Sequence, residues 1–217
     1  MIFSIDPIGK DGTKLFKNSS IDLQPGITIL VGCNGSGKTT AMEQIDSYIN
    51  RLETNDISSH YFLCCATGRE IDRLIGFIGT SQTVEQGATM LSSSEGERIS
   101  QFLISMFNWI WSECKKDEVH TVFAFLDSLD SGLDIPSIRM VLDTFEDAIE
   151  ITKNRFNTDL RLVLSANDYA IVENRTCLDI HTGRTINFNS WSDYVDFCIR
   201  SNSIKQNRYS KQKKVKS

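Results

Sequence analysis

Gly32-Cys33-Asn34-Gly35-Ser36-Gly37-Lys38-Thr39 has the residue types and spacing of a phosphate-binding loop. Glycines let the backbone take conformations that a Cβ forbids, so main-chain N–H groups can curl around phosphate oxygens. Lys38 brings a compact positive charge to the β- and γ-phosphates, and Thr39 offers a hydroxyl to Mg²⁺. A helix that starts here points its positive end at the same anion, with Thr40 in its first turn. The chemistry this spacing predicts is the binding of a nucleoside triphosphate with Mg²⁺.

Such a loop works only between a strand and a helix, and the flanks supply both. Ile27-Thr28-Ile29-Leu30-Val31 is a continuous apolar, β-branched run that reads as a buried strand after the turn signal Pro25-Gly26. Met42, Ile45, Ile49 and Leu52 recur at helical spacing over residues 39–52.

Three later segments hold further candidate chemistry. Thr121-Val122-Phe123-Ala124-Phe125-Leu126 reads as a second buried strand and ends in Asp127, a carboxylate that can complete the Mg²⁺ shell with Thr39. Ser128 and Asp130 follow it, and then Ser131-Gly132-Leu133-Asp134. Upstream, Ser94-Glu95-Gly96-Glu97-Arg98 heads a long helical pattern; a serine, a glycine and a free helix N-terminus make a second anion cradle. A third strand, residues 159–165, runs into Ala166-Asn167-Asp168.

The remaining elements are read as scaffold. Met1 to Ile5 alternates as a strand, and Leu15-Phe16 and Ile21-Asp22-Leu23 are short apolar pieces around the turn signal Asp11-Gly12. Residues 53–59 read as a polar loop before the strand Tyr61-Phe62-Leu63-Cys64-Cys65. Residues 69–90 carry a modest helical pattern, and a helix from Ile99 to about Cys114 is apolar nearly all round, which predicts a central buried helix with Phe102, Phe107, Trp109 and Trp111 in the core. Another helix begins at Ile135-Pro136, with Met140, Leu142, Phe145, Ile149 and Ile151 as its apolar positions. A hairpin turns at His181-Thr182-Gly183, and Trp191, Tyr194, Val195 and Phe197 mark a last helix.

The 217 residues suffice for one sizeable core, read as one domain over 1–200 with a helical part at about 69–115. No run of 18 apolar residues exists and the N-terminus has no signal-peptide pattern, so a cytoplasmic protein is expected. The six cysteines lack metal-site spacing and are expected to be free thiols. The net charge of −5 is uneven: seven basic and no acidic residues lie in 200–217, leaving about −12 on the rest. The acidic body argues against broad nucleic-acid binding. The tail, residues 201–217, is unpatterned, and its expected state is disordered, with a role in contacting nucleic acid or an acidic partner.

The order of these motifs resembles that of the ATP-binding cassette (ABC) ATPases, and within them the SMC-like and DNA-repair branch. Gly32 to Thr39 match Walker A, and Val122 to Asp127 match Walker B. Ser94, Gly96 and Glu97 match the signature, with Glu95 in place of its first glycine. Residues 131–134 match the D-loop, and Asn167 stands at the switch-histidine position. The resemblance spans roughly residues 20–190 and implies an α/β P-loop NTPase fold, an ABC-ATPase-like mixed sheet with flanking helices. It also implies ATP and Mg²⁺ as ligands, and an ATP-dependent head-to-tail homodimer in which the signature of one copy faces the nucleotide of the other.

The departures shape the expected activity. Where the family has a glutamate after the Walker B aspartate, this chain has Ser128, and a hydroxyl is no general base near neutral pH without a partner. Asp130 is the candidate substitute, and Asn167 can bond phosphate or water but cannot carry a proton. Slow ATP hydrolysis is expected, serving DNA or a partner protein in a repair, phage or defence setting. The alternatives are a non-catalytic ATP sensor and, third, the ATPase subunit of a transporter. Gln82 and Gln86 are the Q-loop candidates. With about 25 residues between Cys65 and Leu91 and no sustained heptads, no coiled-coil arms are present.

Overall fold

The computed structural model describes residues 1–9, 14–64, 95–130 and 133–216. In chain order these form β1 (Ile2–Ser4), β2 (Ser20–Asp22), β3 (Gly26–Val31), α1 (Lys38–Ile49), β4 (Ile57–Leu63), α2 (Glu95–Cys114) and β5 (Thr121–Asp127). They continue with α3 (Ile135–Phe156), β6 (Asp159–Ser165), α4 (Tyr169–Val172), β7 (Cys177–Asp179), β8 (Arg184–Ile186) and α5 (Trp191–Lys216). β1 and β2 pair as an antiparallel ribbon. The other six strands form one sheet in the order β4-β5-β6-β3-β7-β8, parallel except for β8. This is the expected mixed α/β sheet of a P-loop NTPase.

The strand order sets the site. β6 lies between β3, which leads into the phosphate loop, and β5, which ends at Asp127. The C-terminal ends of three parallel strands therefore converge where a ligand binds in such sheets. The strands read as continuous apolar runs because both faces are covered. Ile29, Val31, Val122, Ala124 and Leu126 face the helices α2 to α5, and Leu30, Phe123 and Phe125 face α1 and the β1–β2 ribbon. Alternate residues go to opposite cores, as the period of a strand requires.

Several expectations are corrected. The polar stretch 53–59 is not all loop: β4 begins at Ile57, because Ile57 and Ser58 pair with Thr121 and Val122 of β5. Helix α2 is not buried all round. Met106, Ile110 and Cys114 face the core at one-turn spacing, while Ile104 is 61% exposed and Phe107 and Trp109 are half-buried. In α3 the inward positions are Ile138, Val141, Leu142 and Phe145, and Met140 and Ile151 face out. Asp134 caps α3 by accepting from the Ser137 amide at 2.9 Å, and Asn157 ends it in a left-handed conformation.

The largest correction is the tail. Residues 201–216 are helical and continue α5 rather than being disordered. The helix starts with Ser190 Oγ accepting from the Asp193 amide at 3.2 Å and the Asp193 carboxylate accepting from the Asn189 amide at 3.2 Å. Tyr194 and Phe197 then bury its first turns. Lys, Gln and Arg are good helix formers, so propagation from an anchored start needs no apolar stripe. The pattern at 69–90, Gln82, Gln86, Ser94, Asp11-Gly12 and Ser131-Gly132 lie outside the described residues.

Candidate functional site

The phosphate loop leaves β3 and re-enters at α1, whose first residue is Lys38. Gly37 is the helix N-cap, in a left-handed conformation (φ 105) with no side-chain capping bond. A Cβ there would sit 2.8 Å from the Phe16 ring, so the loop closes down on the Leu15-Phe16 segment only with glycine at this position. The first-turn amides of α1 have no intrahelical acceptors. Ser36 is buried at the base of the loop, its hydroxyl unpartnered among the described residues. Asn34 and Gly35 form the exposed tip, and Thr40 lies half-buried in the first turn of α1. A cavity of about 500 Å³ opens above the loop and reaches Asp127, Ser128 and Asn167.

Lys38 is buried, and its ammonium donates to the Gly32 carbonyl at 2.8 Å and to Asn167 Oδ1 at 3.0 Å. Both acceptors are neutral. Burial holds the Lys38 pKa below its ordinary value, opposed by the charges of Asp127 and Asp130. A buried cation with only neutral oxygens in contact fits a phosphate anion.

Asp127, also buried, is gripped by hydroxyls from three elements. Thr39 Oγ1 donates to Oδ2 at 2.5 Å, the Tyr61 phenol donates to the same oxygen at 2.8 Å, and Ser165 Oγ donates to Oδ1. The Tyr61 pKa is pushed far up, first by burial and then by Asp127. No group of three His, Cys, Asp or Glu suited to a metal exists among the described residues. Thr39 and Asp127 are hard oxygen donors, and a hydroxyl plus one carboxylate is the protein share Mg²⁺ takes when phosphates supply further ligands. The residues present therefore fit ATP with Mg²⁺.

The segment after Asp127 is tied to the end of β6. Ser128 is left-handed (φ 59), and its amide donates to Ser165 Oγ at 2.8 Å. Asp130 Oδ2 accepts from the Asn167 amide at 2.5 Å and the Asp168 amide at 2.7 Å, and Oδ1 accepts from Asn167 Nδ2 at 3.3 Å. The Asn167 side chain thus bridges the cation Lys38 and the carboxylate of Asp130. Both oxygens of Asp130 are engaged in holding this turn.

Sequence reasoning brought Lys38, Thr39, Asp127, Ser128, Asp130 and Asn167 to one place, and the fold does bring them together. It missed Tyr61 and Ser165, whose hydroxyls sit on strands without any motif. It also missed α5. The Cys33 amide donates to Ser201 Oγ at 2.8 Å, and Lys205 Nζ donates to the Asn34 carbonyl at 2.7 Å. Gly96 and Glu97 fall in the first turn of α2, with Ser94 just outside the described residues.

Among the described residues no helix is long and apolar enough to cross a membrane. No curated protein matches the chain. The family model described as AAA domain matches residues 11–216. That span takes in the phosphate loop, the Asp127 strand, the Asn167 turn and α5, and the chain belongs to the AAA-domain family of P-loop ATPases.

Proposed function

We propose that the chain binds ATP with Mg²⁺ and hydrolyses it slowly, as a small cytoplasmic member of the SMC-like branch of the ABC ATPases, and that ATP closes two copies head to tail. The observation that carries this reading is the meeting of Lys38, Thr39, Asp127 and Asn167 around one cavity at the ends of β3, β5 and β6. Lys38 turns its ammonium from Asn167 to a phosphate oxygen, and the first-turn amides of α1 bind alongside it. Thr39 and Asp127 would hold Mg²⁺, with Tyr61 and Ser165 orienting the carboxylate. Mg²⁺, when bound, neutralises charge on the β- and γ-phosphates. Asn167 then holds γ-phosphate or water without carrying a proton. Ser94, Gly96 and Glu97 of the second copy cover the nucleotide from the far side, as the motif order implies. DNA or a partner protein is the object of the closed dimer, on the strength of the SMC-like resemblance.

A second reading, an ATP sensor with negligible turnover, is favoured by Asp130. Its carboxylate is occupied by the Asn167 and Asp168 amides, and Ser128 supplies no base. Calorimetry with ATP and Mg²⁺, on wild type and Lys38→Ala, tests the binding that both readings share. The expected result is a severe loss of affinity in the variant, and equal affinities defeat both. Turnover of the wild type, alone and with single- or double-stranded DNA, then separates them.

A further inference from the structure

The family match and the motif pattern leave α5 without a role, yet two of its side chains bond the phosphate loop from outside and a third bonds the segment beneath it. Ser201, nearly fully buried, accepts from the Cys33 amide at 2.8 Å. One turn on, Lys205 donates to the Asn34 carbonyl at 2.7 Å, and a Cβ on Gly35 would come within 3.0 Å of its ammonium. Beyond it, Arg208 donates to the Leu15 carbonyl and, at 2.9 Å, to His181 Nδ1. His181 Nε2 closes the circuit, 2.8 Å from Ser201 Oγ. An arginine only donates, so His181 Nδ1 is an acceptor and its ring hydrogen sits on Nε2, pointing at Ser201. Ser201 Oγ therefore accepts twice, from His181 and from the loop. The floor of the loop is part of the same circuit: Leu15, whose carbonyl takes Arg208, is next to Phe16, against which Gly37 packs.

The loop's peptides divide between two faces. Those of Cys33 and Asn34 are spent on α5, the first through its N–H and the second through its C=O. The first turn of α1, Lys38 to Thr40, lines the phosphate cavity instead, and its amides have no intrahelical acceptors. We infer that α5 is a strap on the phosphate loop, in which Ser201 and Lys205 are positioning residues that hold the loop's leading half so that its trailing half is set for phosphate. The inference rests on the nucleotide-binding reading for its ligand, and on the α5 contacts alone for its geometry. Coupling of this kind is reciprocal. If a seated α5 favours nucleotide, then bound nucleotide favours a seated α5.

The test uses the full chain in two arms. In the nucleotide-free arm, amide hydrogen exchange is followed over residues 33–36 in wild type, Ser201→Ala and Lys205→Met. Faster exchange in both variants is expected, and unchanged exchange overturns the strap. In the second arm, calorimetry measures the affinity for ADP with Mg²⁺. Lys205→Met is expected to bind about tenfold more weakly, the effect of one charge-assisted bond. Lys205→Arg should recover most of the loss. Arg200→Met, which removes the same charge from an exposed position of the same helix, should bind as wild type does. Melting temperatures of Lys205→Met and Arg200→Met should agree within about 3 °C, so that a purely structural defect is recognised. Bound ADP should also slow exchange along α5 in wild type. Equal ADP affinity in wild type, Ser201→Ala and Lys205→Met overturns the proposal, as does equal loss in Arg200→Met. Should wild type bind no ADP, the nucleotide reading fails by itself, and the exchange arm still decides whether α5 holds the loop. If Lys205→Met does not fold, Ser201→Ala, which removes only one hydroxyl, carries both arms.

Discussion

Tyr61 donates its phenolic hydrogen to Asp127 across neighbouring parallel strands, at 2.8 Å, to the same carboxylate oxygen that takes the Thr39 hydroxyl. The carboxylate is thereby aimed from the sheet side as well as from α1. Tyr61→Phe leaves that oxygen with one donor fewer in a buried setting. The expected cost is about 1–3 kcal/mol of stability, read by urea unfolding. The Mg²⁺ concentration needed for half-maximal nucleotide binding should also rise. A variant indistinguishable from wild type in both measurements would remove Tyr61 from the site.

Ser128 follows Asp127 in a left-handed backbone conformation, φ 59, that L-residues adopt at a cost. Ser128→Gly should stabilise the fold by up to about 1 kcal/mol. Ser128→Glu carries the same backbone cost as serine and adds the missing carboxylate, so turnover should rise if the rest of the site is intact. Wild-type turnover of about 10 per second, typical of an efficient enzyme, would show that the missing base does not limit this chain.

For Asp130 the two candidate roles give different series. As an anchor for the Asn167 and Asp168 amides it is a structural acceptor, and Asp130→Asn keeps an acceptor oxygen while Asp130→Ala removes both. Asparagine should then retain most of the turnover and alanine little. Equal abolition in both variants would instead point to a proton-accepting role, because asparagine cannot serve as a base.

His181 gives the pH dependence. Its pKa is held below the ordinary value by burial first and by Arg208 second, with Asp179 opposing. The unfolded chain therefore takes up a proton that the folded chain resists, so stability rises with pH. The contribution is complete above the unfolded value, about 6.5, and is lost as pH falls below it toward the lowered folded value. Protonation would place an N–H on Nδ1 against the Arg208 donor. Unfolding free energy measured from pH 8 to pH 5 should fall less steeply in His181→Gln than in wild type. Parallel curves would exclude His181 as the source.

ATP, but not ADP, should bring two copies together. A non-hydrolysable ATP analogue should double the mass seen by light scattering at tens of micromolar protein, while ADP leaves the monomer. Ser94→Arg, which fills the signature cradle, should block the doubling and leave ATP binding intact. A monomer under all conditions would mean that some other protein completes the site.

How much of this was legible beforehand follows from where each signal lives. The loop, α1, β5 and β6 are apolar runs or fixed motifs; Lys38 and Thr39 were placed by the loop motif, and Asp127 by its position at the end of a buried strand. Ser165 was read only as the end of a strand, and Tyr61 only as part of an apolar one, because a lone hydroxyl facing a carboxylate from a neighbouring strand has no period. The helical end of α5 was invisible for a related reason. It is seated by Ser201, Lys205 and Arg208 through polar bonds to main-chain atoms, and a polar docking face looks like a solvated one. Two of the basic residues that pointed to a disordered, phosphate-seeking tail, Lys205 and Arg208, are turned inward.

The contacts that finish the phosphate loop span long stretches of chain. Thr39 meets Asp127 from 88 residues away, Lys38 meets Asn167 from 129, and Cys33 meets Ser201 from 168. Contacts of that range form late, because large loops must close before they contribute anything. During synthesis the loop sequence emerges early, yet its grip on Asp127, Asn167 and α5 waits for almost the whole chain. A ribosome-bound fragment that stops before β6 holds the complete motif and lacks Asn167, one of the two acceptors of its cation, and Ser165, one of the three hydroxyls on its carboxylate. Nucleotide affinity of such truncated chains would thus be a timer for the closing of the sheet, with the motif itself serving as the probe.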